Sequence, residues 1–185
     1  KATTARRVKQ RTHQIMEWSC AQGLRVGNPV NGVQHLLPKQ PSASLRVQHH
    51  PAMPWVNIPD FVETHITDAE NVSRTLLLFV ILTAVRSGEA RGARWSEFNL
   101  EQKVWSIPAI RMKTQVIHRV PLAEPVVELL HKQQQRSKHS LVFPSPRAGK
   151  ILTDMALTSF LRKHKAISDT PGRPATAHGF RSSFR

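Results

Sequence analysis

Tyrosine is missing altogether from this 185-residue chain, and cysteine occurs once, at Cys20. Zero Tyr is unusual against average usage, and it removes the phenolic hydroxyl from the chemistry these residues can perform alone. A lone Cys excludes a disulfide framework and a thiolate metal site. The ten His residues do not compensate, because they are scattered, and His49-His50 has no Cys, Asp or Glu close by to complete a ligand set. No metal site is expected. The main apolar run, Leu76 to Leu82, is seven residues, against about 20 needed to cross a bilayer. No signal-peptide pattern opens the chain, so an intracellular, cytoplasmic setting is the default.

Acidic residues are scarce too. Twelve Asp and Glu stand against 27 Lys and Arg, a formal net charge of +15 and a pI near 11.4. So large an excess favours a polyanion as partner. Of the two common polyanions, nucleic acid is preferred over a membrane surface, since no segment combines an apolar face with a dense basic one. Hydrophobic residues make up 39% of the chain, a modest share, yet they cluster into runs that can form a core.

The stretch that organises the rest is LLLFVILTAVRSGEARGAR, Leu76 to Arg94. Its apolar part reads as a buried helix, with Asn71 or Ser73 as N-cap and Gly88 just past the end. Arg86 therefore leaves a core element. A guanidinium beside low-dielectric packing is costly unless an anion meets it, and Glu89, three residues on, is the nearest partner. On its own this arrangement could simply complement the helix dipole; the fork of donors left over could equally take a second anion.

Along the chain, residues 2–21 read as a helix with Ala5, Val8, Thr12, Ile15, Met16 and Ser19 on one face, closed by Gly23. Its other face carries Arg6, Arg7, Lys9 and Arg11, either solvated or laid against phosphates. Residues 27–54, rich in Pro, Asn, Gly and Ser, read as an interdomain linker. Within it Arg46, His49 and His50 belong to an exposed strap, with contact to a nucleic-acid backbone as the alternative. A second helix starts at Ile58-Pro59-Asp60. After the buried helix and a short helical turn from Glu89 to Ala93 the period changes to that of strands: Arg94 to Phe98, Val104 to Ile107 and Val116 to Pro121, three short antiparallel strands. Trp95 and Trp105 fall on paired strands and read as core. Arg111 and Lys113 sit on the hairpin between the second and third strands. Glu124 to Gln135 forms a helix, Leu141 to Pro144 an apolar plug, and Lys150 lies in the loop before a helix that starts near Thr153-Asp154. The chain ends on a helical start, HGFRSSFR, in which His178 and Arg181 share a face. His178 could also merely cap that helix or pack in the core.

Arg86, Lys113, His178 and Arg181 form an inventory suited to phosphoryl transfer on a diester. Two guanidiniums neutralise the non-bridging oxygens, one group protonates the leaving oxygen, and an imidazole handles proton traffic. At these residues the chain resembles the phage-integrase branch of the tyrosine recombinases. LTAVRSGEARGARW is similar to that family's first arginine box, RMKTQVIHRVPL to its lysine hairpin and HGFRSSFR to its His-x-x-Arg box; ARRVKQRTHQIMEWSCAQGL resembles the last helix of its core-binding domain.

The resemblance implies an α+β, mostly helical fold: a tyrosine-recombinase catalytic domain with a small three-stranded antiparallel sheet, preceded by the last helix of a helical core-binding domain. The expected domains are 1–26 for that helix, 27–54 for the linker and 55–185 for the catalytic domain. It implies that Arg86 and Arg181 clamp a scissile phosphate, Lys113 protonates the leaving oxygen, His178 assists proton transfer and Glu89 buttresses Arg86. Arg6, Arg7, Lys9, Arg11, Arg111 and Lys150 are expected DNA contacts. Arg91 and Arg94 are expected to pair with Glu89, Glu97 or a peripheral phosphate. No cofactor is implied; the partners are double-stranded DNA and further protomers, four in the recombining complex. Two features depart from the family pattern. The nucleophilic Tyr should follow Arg181, so a piece truncated before it, inactive in cleavage, is expected. Ala84 stands where the family usually has Gly. The rival functions are a non-catalytic DNA-binding protein that keeps the phosphate clamp, and relaxation of DNA in the manner of a type IB topoisomerase.

Overall fold

The structure, a computed structural model, describes residues 2–37, 49–66, 71–136, 138–146 and 150–184. The chain divides into two compact units, residues 1–48 and residues 49–185. Arg46 lies outside the described residues.

In the first unit, helix α1 (Ala2–Ala21) ends at Gly23 in the left-handed region, φ 70°, where only glycine avoids a Cβ penalty. The segment after it folds back on the helix instead of running free. Asn28 is the bracket: its amide donates to the His13 carbonyl (3.1 Å) and to Glu17 Oε1 (2.6 Å), and its own oxygen accepts from the Val30 amide (2.9 Å). His13 Nε2 bonds Asn31 Oδ1 at 2.9 Å. The expected apolar face is nevertheless largely open, since within this unit Ala5, Val8 and Ile15 are exposed and only Thr12, Met16 and Ser19 are half-buried.

The second unit is built around the expected buried helix. Helix α2 (Ile58–His65) carries Pro59 in its first turn, where the missing amide costs nothing. Helix α3 (Val72–Thr83) starts at Asn71, whose side chain accepts from the Ser73 amide at 2.8 Å, removing one orphan donor. Leu76, Leu77, Phe79 and Val80 have no exposure. Its end differs from the expected one. The helix stops at Thr83, and Ala84 takes the left-handed conformation, φ 51°, ψ 23°. Gly88 lies inside the next helix, α4 (Ser87–Arg91).

The sheet is antiparallel with order β1-β2-β3: β1 (Phe98–Asn99), β2 (Val104–Ile107) and β3 (His118–Pro121). Phe98 pairs with Trp105, and Trp105 with Val120. Two of the strands are shorter than the alternation suggests. Residues Trp95–Glu97 form a 3-10 turn, because Glu97 Oε2 reaches back to the Arg94 amide and turns the chain before a strand can begin. Trp95 is thus off the sheet and only half-buried, whereas Trp105 is fully buried. Val116 and Ile117 precede β3 and are exposed.

Phe79 ties sheet to helix, with ring centroids 5.3 Å from Trp105 and 5.2 Å from Phe143; Trp105 in turn stacks on Phe98 at 5.2 Å. Helix α5 (Glu124–Arg136) buries Val126, Val127, Leu129 and Leu130. Its buried Gln133 donates to the Val142 carbonyl (2.8 Å) and so docks the plug, where Leu141, Val142 and Phe143 are buried. Helix α6 (Met155–Lys163) and the short α7 (Phe180–Ser183) complete the unit, and both touch α3.

Candidate active site

Arg86 is the N-cap of α4, not the tail of α3. Its amide donates to Glu89 Oε2 (3.0 Å) and its guanidinium to Glu89 Oε1 (2.6 Å), so one residue satisfies both carboxylate oxygens. Glu89 is buried, while the Arg86 side chain remains 48% exposed. That combination fixes one edge of the guanidinium and leaves the other open, as a charge-assisted fork requires.

Arg181 meets the same turn from the other end of the sequence. Buried Phe180 anchors α7, and the Arg181 guanidinium donates to the Ala84 carbonyl. Ala84 can present that carbonyl because its left-handed backbone turns the chain away from the helix axis. The position where this chain departs from the family pattern is thus a direct partner of the second arginine.

His178 lies between these elements and is exposed. It neither caps α7 nor enters the core; just before that helix the Thr176 hydroxyl accepts from the Gly179 amide at 3.0 Å. The protein against one side of the ring withholds water from it, and His50, Arg181 and Arg86 each oppose a proton there. In that order these hold its pKa below the ordinary 6.5. Electrostatically, then, both arginines and the imidazole share one neighbourhood. At neutral pH His178 is neutral and can accept a proton.

Lys113 is exposed on the loop between the 3-10 turn Ala109–Arg111 and β3, and makes no hydrogen bond or ion pair among the described residues. Its link to Arg86 runs through Arg111, the expected DNA contact. The Arg111 guanidinium turns inward, one arm on Glu97 Oε1 and the other on the Glu89 carbonyl. Glu97 is itself 5% exposed at the side chain and accepts from Trp105 Nε1 at 2.9 Å. A buried carboxylate needs such a partner. Arg111 therefore connects the lysine loop to the backbone of α4, and a Cβ on Gly92 would meet its guanidinium at 3.0 Å.

The remaining basic candidates are dispersed. Arg6, Arg7 and Arg11 are exposed on α1 and Lys9 is half-buried there. Lys150 is exposed, its carbonyl accepting from the Ser145 amide (3.0 Å) beside the Pro144–Ile151 bridge. Arg91 donates to the Leu152 carbonyl at 2.7 Å, not to Glu89 or Glu97. Arg94 uses its amide on Glu97. Among the described residues no group of three or more His, Cys, Asp or Glu could hold a metal ion.

Sequence reasoning missed the segment before α2. Pro51, Ala52 and Met53, assigned to the linker, are buried in the second unit. The Pro51 carbonyl accepts from the Thr176 amide (3.0 Å) and hydroxyl (3.2 Å); Ala52 exchanges two bonds with Asp169. The Met53 carbonyl accepts from Ser183 Oγ. The only sequence signal was Met53 and Trp55 amid prolines, an apolar pair unlike linker composition.

Residues 56–185 match the model of the phage integrase family. The prophage integrase IntZ of Escherichia coli K12 is 32% identical over 183 residues, covering 97% of this chain and 42% of that protein. The integrase of Enterobacteria phage P4 is 30% identical, covering all of this chain and 44% of its own length. The chain thus spans less than half of these relatives. Among solved structures, the Tn1549 transposon integrase bound to a circular-intermediate DNA superposes with a TM-score of 0.72 at 11% identity, over 98% of this chain and 65% of that one. A lambda integrase from a tetramer bound to a Holliday junction gives 0.70 at 17%, over 99% and 53%. At such identities these structures speak for the fold alone, which is that of the tyrosine-recombinase catalytic domain with its three-stranded sheet. With the family model covering most of the chain and a relative above 30% identity, this chain belongs to the phage integrase family.

Proposed function

We propose that this chain carries the phosphate-activating machinery of a site-specific recombinase, which cuts one DNA strand at a time and rejoins it to a new partner. The observation that carries the reading is the bond from Arg181 to the Ala84 carbonyl, two residues before Arg86. It holds two arginines, 95 positions apart in sequence, at one turn. A diester phosphate between them would have its non-bridging charge met by two guanidiniums, in the manner of other phosphoryl-transfer sites.

In the proposed step a tyrosine hydroxyl attacks phosphorus in line, forming a phosphotyrosyl bond as the bond to the 5′ oxygen breaks. Lys113 gives a proton to that oxygen, and neutral His178 takes up the proton released by the phenol. Glu89 orients Arg86. The 185 residues contain no tyrosine, so the attacking phenol comes from residues outside them. We take double-stranded DNA as the substrate and further protomers as partners; the lambda integrase tetramer on a Holliday junction supports that reading by likeness of fold. Among the described residues no helix is long and apolar enough to cross a membrane, and a DNA substrate puts the protein in the cytoplasm.

Binding to a duplex oligonucleotide, followed by fluorescence anisotropy at rising salt, tests the clamp. Affinity should fall steeply with salt, as counterion release demands, and should drop again on Arg86→Ala or Arg181→Ala. A nicked suicide duplex tests the chemistry: these 185 residues should form no covalent adduct, whereas the same residues extended by a tyrosine-bearing segment should form one that either arginine variant loses. An adduct formed by the 185 residues alone would overturn the tyrosine nucleophile. Salt-insensitive binding would overturn the phosphate clamp.

A further inference from the structure

We propose that His50 is a positioning residue of the active site, standing edge-on against His178 and fixing the orientation in which that imidazole meets its proton. The inference rests on the role given to His178 above. The two ring centroids are 4.5 Å apart and the planes are inclined by 61°, a separation and tilt at which aromatic rings favour edge-to-face contact.

The base from which His50 reaches is rigid. One residue on, the Pro51 carbonyl is held by both the amide and the hydroxyl of Thr176, and the next residue exchanges bonds of 3.0 and 2.8 Å with Asp169. Behind them Met53 is buried and its carbonyl is capped by Ser183. Gly179, next to His178, lies against this strap so closely that a Cβ there would fall 1.9 Å from the Pro51 oxygen. Strap and His-x-x-Arg box are therefore one body, and the His50 ring projects from the strap onto the one exposed side chain of that box that handles protons. His50 is itself exposed, so the ring contact and the anchored residues beside it, not burial, hold it against His178.

The contact also bears on charge. The groups that act on His178 are His50 from the strap, Arg181 from α7 and Arg86 from the turn after α3, all cationic or able to become so. Each opposes a proton on His178, and His50 leads the three. Removing it should let His178 protonate more readily.

The test is a titration of the imidazole resonances of the 185-residue chain by NMR, with His50→Ala and His50→Phe beside the wild type. In His50→Ala the His178 midpoint should move upward and its ring-current-shifted resonances should relax toward free-histidine positions. His50→Phe restores the aromatic edge without the charge, so the resonance positions should recover while the midpoint stays raised. Unchanged amide resonances in β2 establish that each variant is folded, and should His50→Ala fail that check, His50→Phe alone decides through the midpoint. A His178 midpoint and line positions identical to wild type in the folded variants would overturn the proposal. Duplex binding separates this from the clamp. If Arg86→Ala and Arg181→Ala bind as wild type while His178 still responds to His50→Ala, the clamp fails and the positioning contact stands. The converse pair of results sinks the contact and leaves the clamp.

Discussion

Gly179→Ala puts the strap-to-box docking under direct strain. The backbone at Gly179 is right-handed, φ −60°, ψ −33°, so no conformational demand for glycine exists there. Gly179 is the N-cap of α7, where alanine has no interior-helix advantage over glycine. Space is what forbids the substitution. The added Cβ would lie 1.9 Å from the Pro51 oxygen, 2.7 Å from its carbonyl carbon and 2.9 Å from Ala52 Cα, all backbone atoms that no rotamer change can clear. Reaching ordinary contact at 3.4 Å needs an opening of 1.5 Å, the difference between 3.4 and 1.9. Such a displacement stretches both Thr176 bonds to the Pro51 carbonyl, each contributing about 1 kcal/mol. It also adds overpacking strain of about 1–3 kcal/mol.

The expected loss is therefore about 3–5 kcal/mol, or a melting temperature lowered by roughly 6–20 °C for a domain of this size. Chemical denaturation followed by circular dichroism measures it. Gly172→Ala is the matched control. Gly172 has φ 70° with nothing within 4 Å of where an alanine methyl would sit, so its cost is conformational only, about 1–2 kcal/mol. A Gly179→Ala protein as stable as wild type, or more so, would refute the docking and with it the rigid base assigned to His50.

Three further outcomes follow from the same geometry. Arg111→Ala leaves Glu97 buried without its cation and should cost about 3–5 kcal/mol, measured by urea unfolding, with Glu97→Gln in the same chain recovering part of it; a residue that only touched DNA would leave stability unchanged. Ala84→Gly relieves a left-handed alanine, φ 51°, and should raise the melting point by a few degrees, corresponding to about 1 kcal/mol or less once glycine's extra freedom in the unfolded chain is set against it; a lowered melting point would contradict the turn described. Acidification should destabilise the fold. His164 and His178 are both held below 6.5, chiefly by desolvation, and then by His65, Arg74 and Lys163 for the first and by His50, Arg181 and Arg86 for the second. Below pH 6.5 the unfolded chain binds more protons than the fold, so the contribution is full above that value and is lost as pH falls through the two folded values. Melting points that stay level from pH 7 to 5 would refute it.

What could be read from the sequence was what side chains advertise. The apolar run from Leu76, the Asn71 cap and the order of the three boxes are carried by residue type and spacing, and the structure keeps them. What could not be read was held by backbone. A left-handed Ala84 has no signature in its own residue type, and only the Gly usual at that place in the family points to it. The strap reads as linker because prolines dominate it, while its anchors are the carbonyls of Pro51, Ala52 and Met53, present in any sequence. The inward pairing of Arg111 could not be read because its anion, Glu97, lies 14 positions away across a turn that was expected to be a strand.

The backbone also explains how a cluster of cations can be held in place without being neutralised. Arg181 is held by the Ala84 carbonyl, Arg91 by the Leu152 carbonyl and one arm of Arg111 by the Glu89 carbonyl. A carbonyl orients a guanidinium through a charge-assisted hydrogen bond but carries no formal charge of its own. Among the described residues, carboxylates meet these arginines at two places: Glu97, which cancels the inward Arg111, and Glu89, which is buried under Arg86 and shares its charge. Arg181 thus keeps a full charge and Arg86 keeps an open edge, beside an imidazole that stays neutral at neutral pH. Had acidic side chains done the positioning throughout, the cluster would be neutral before any diester met it. Positioning by peptide oxygens leaves the cluster short of an anion, and a phosphate between the two arginines would supply one.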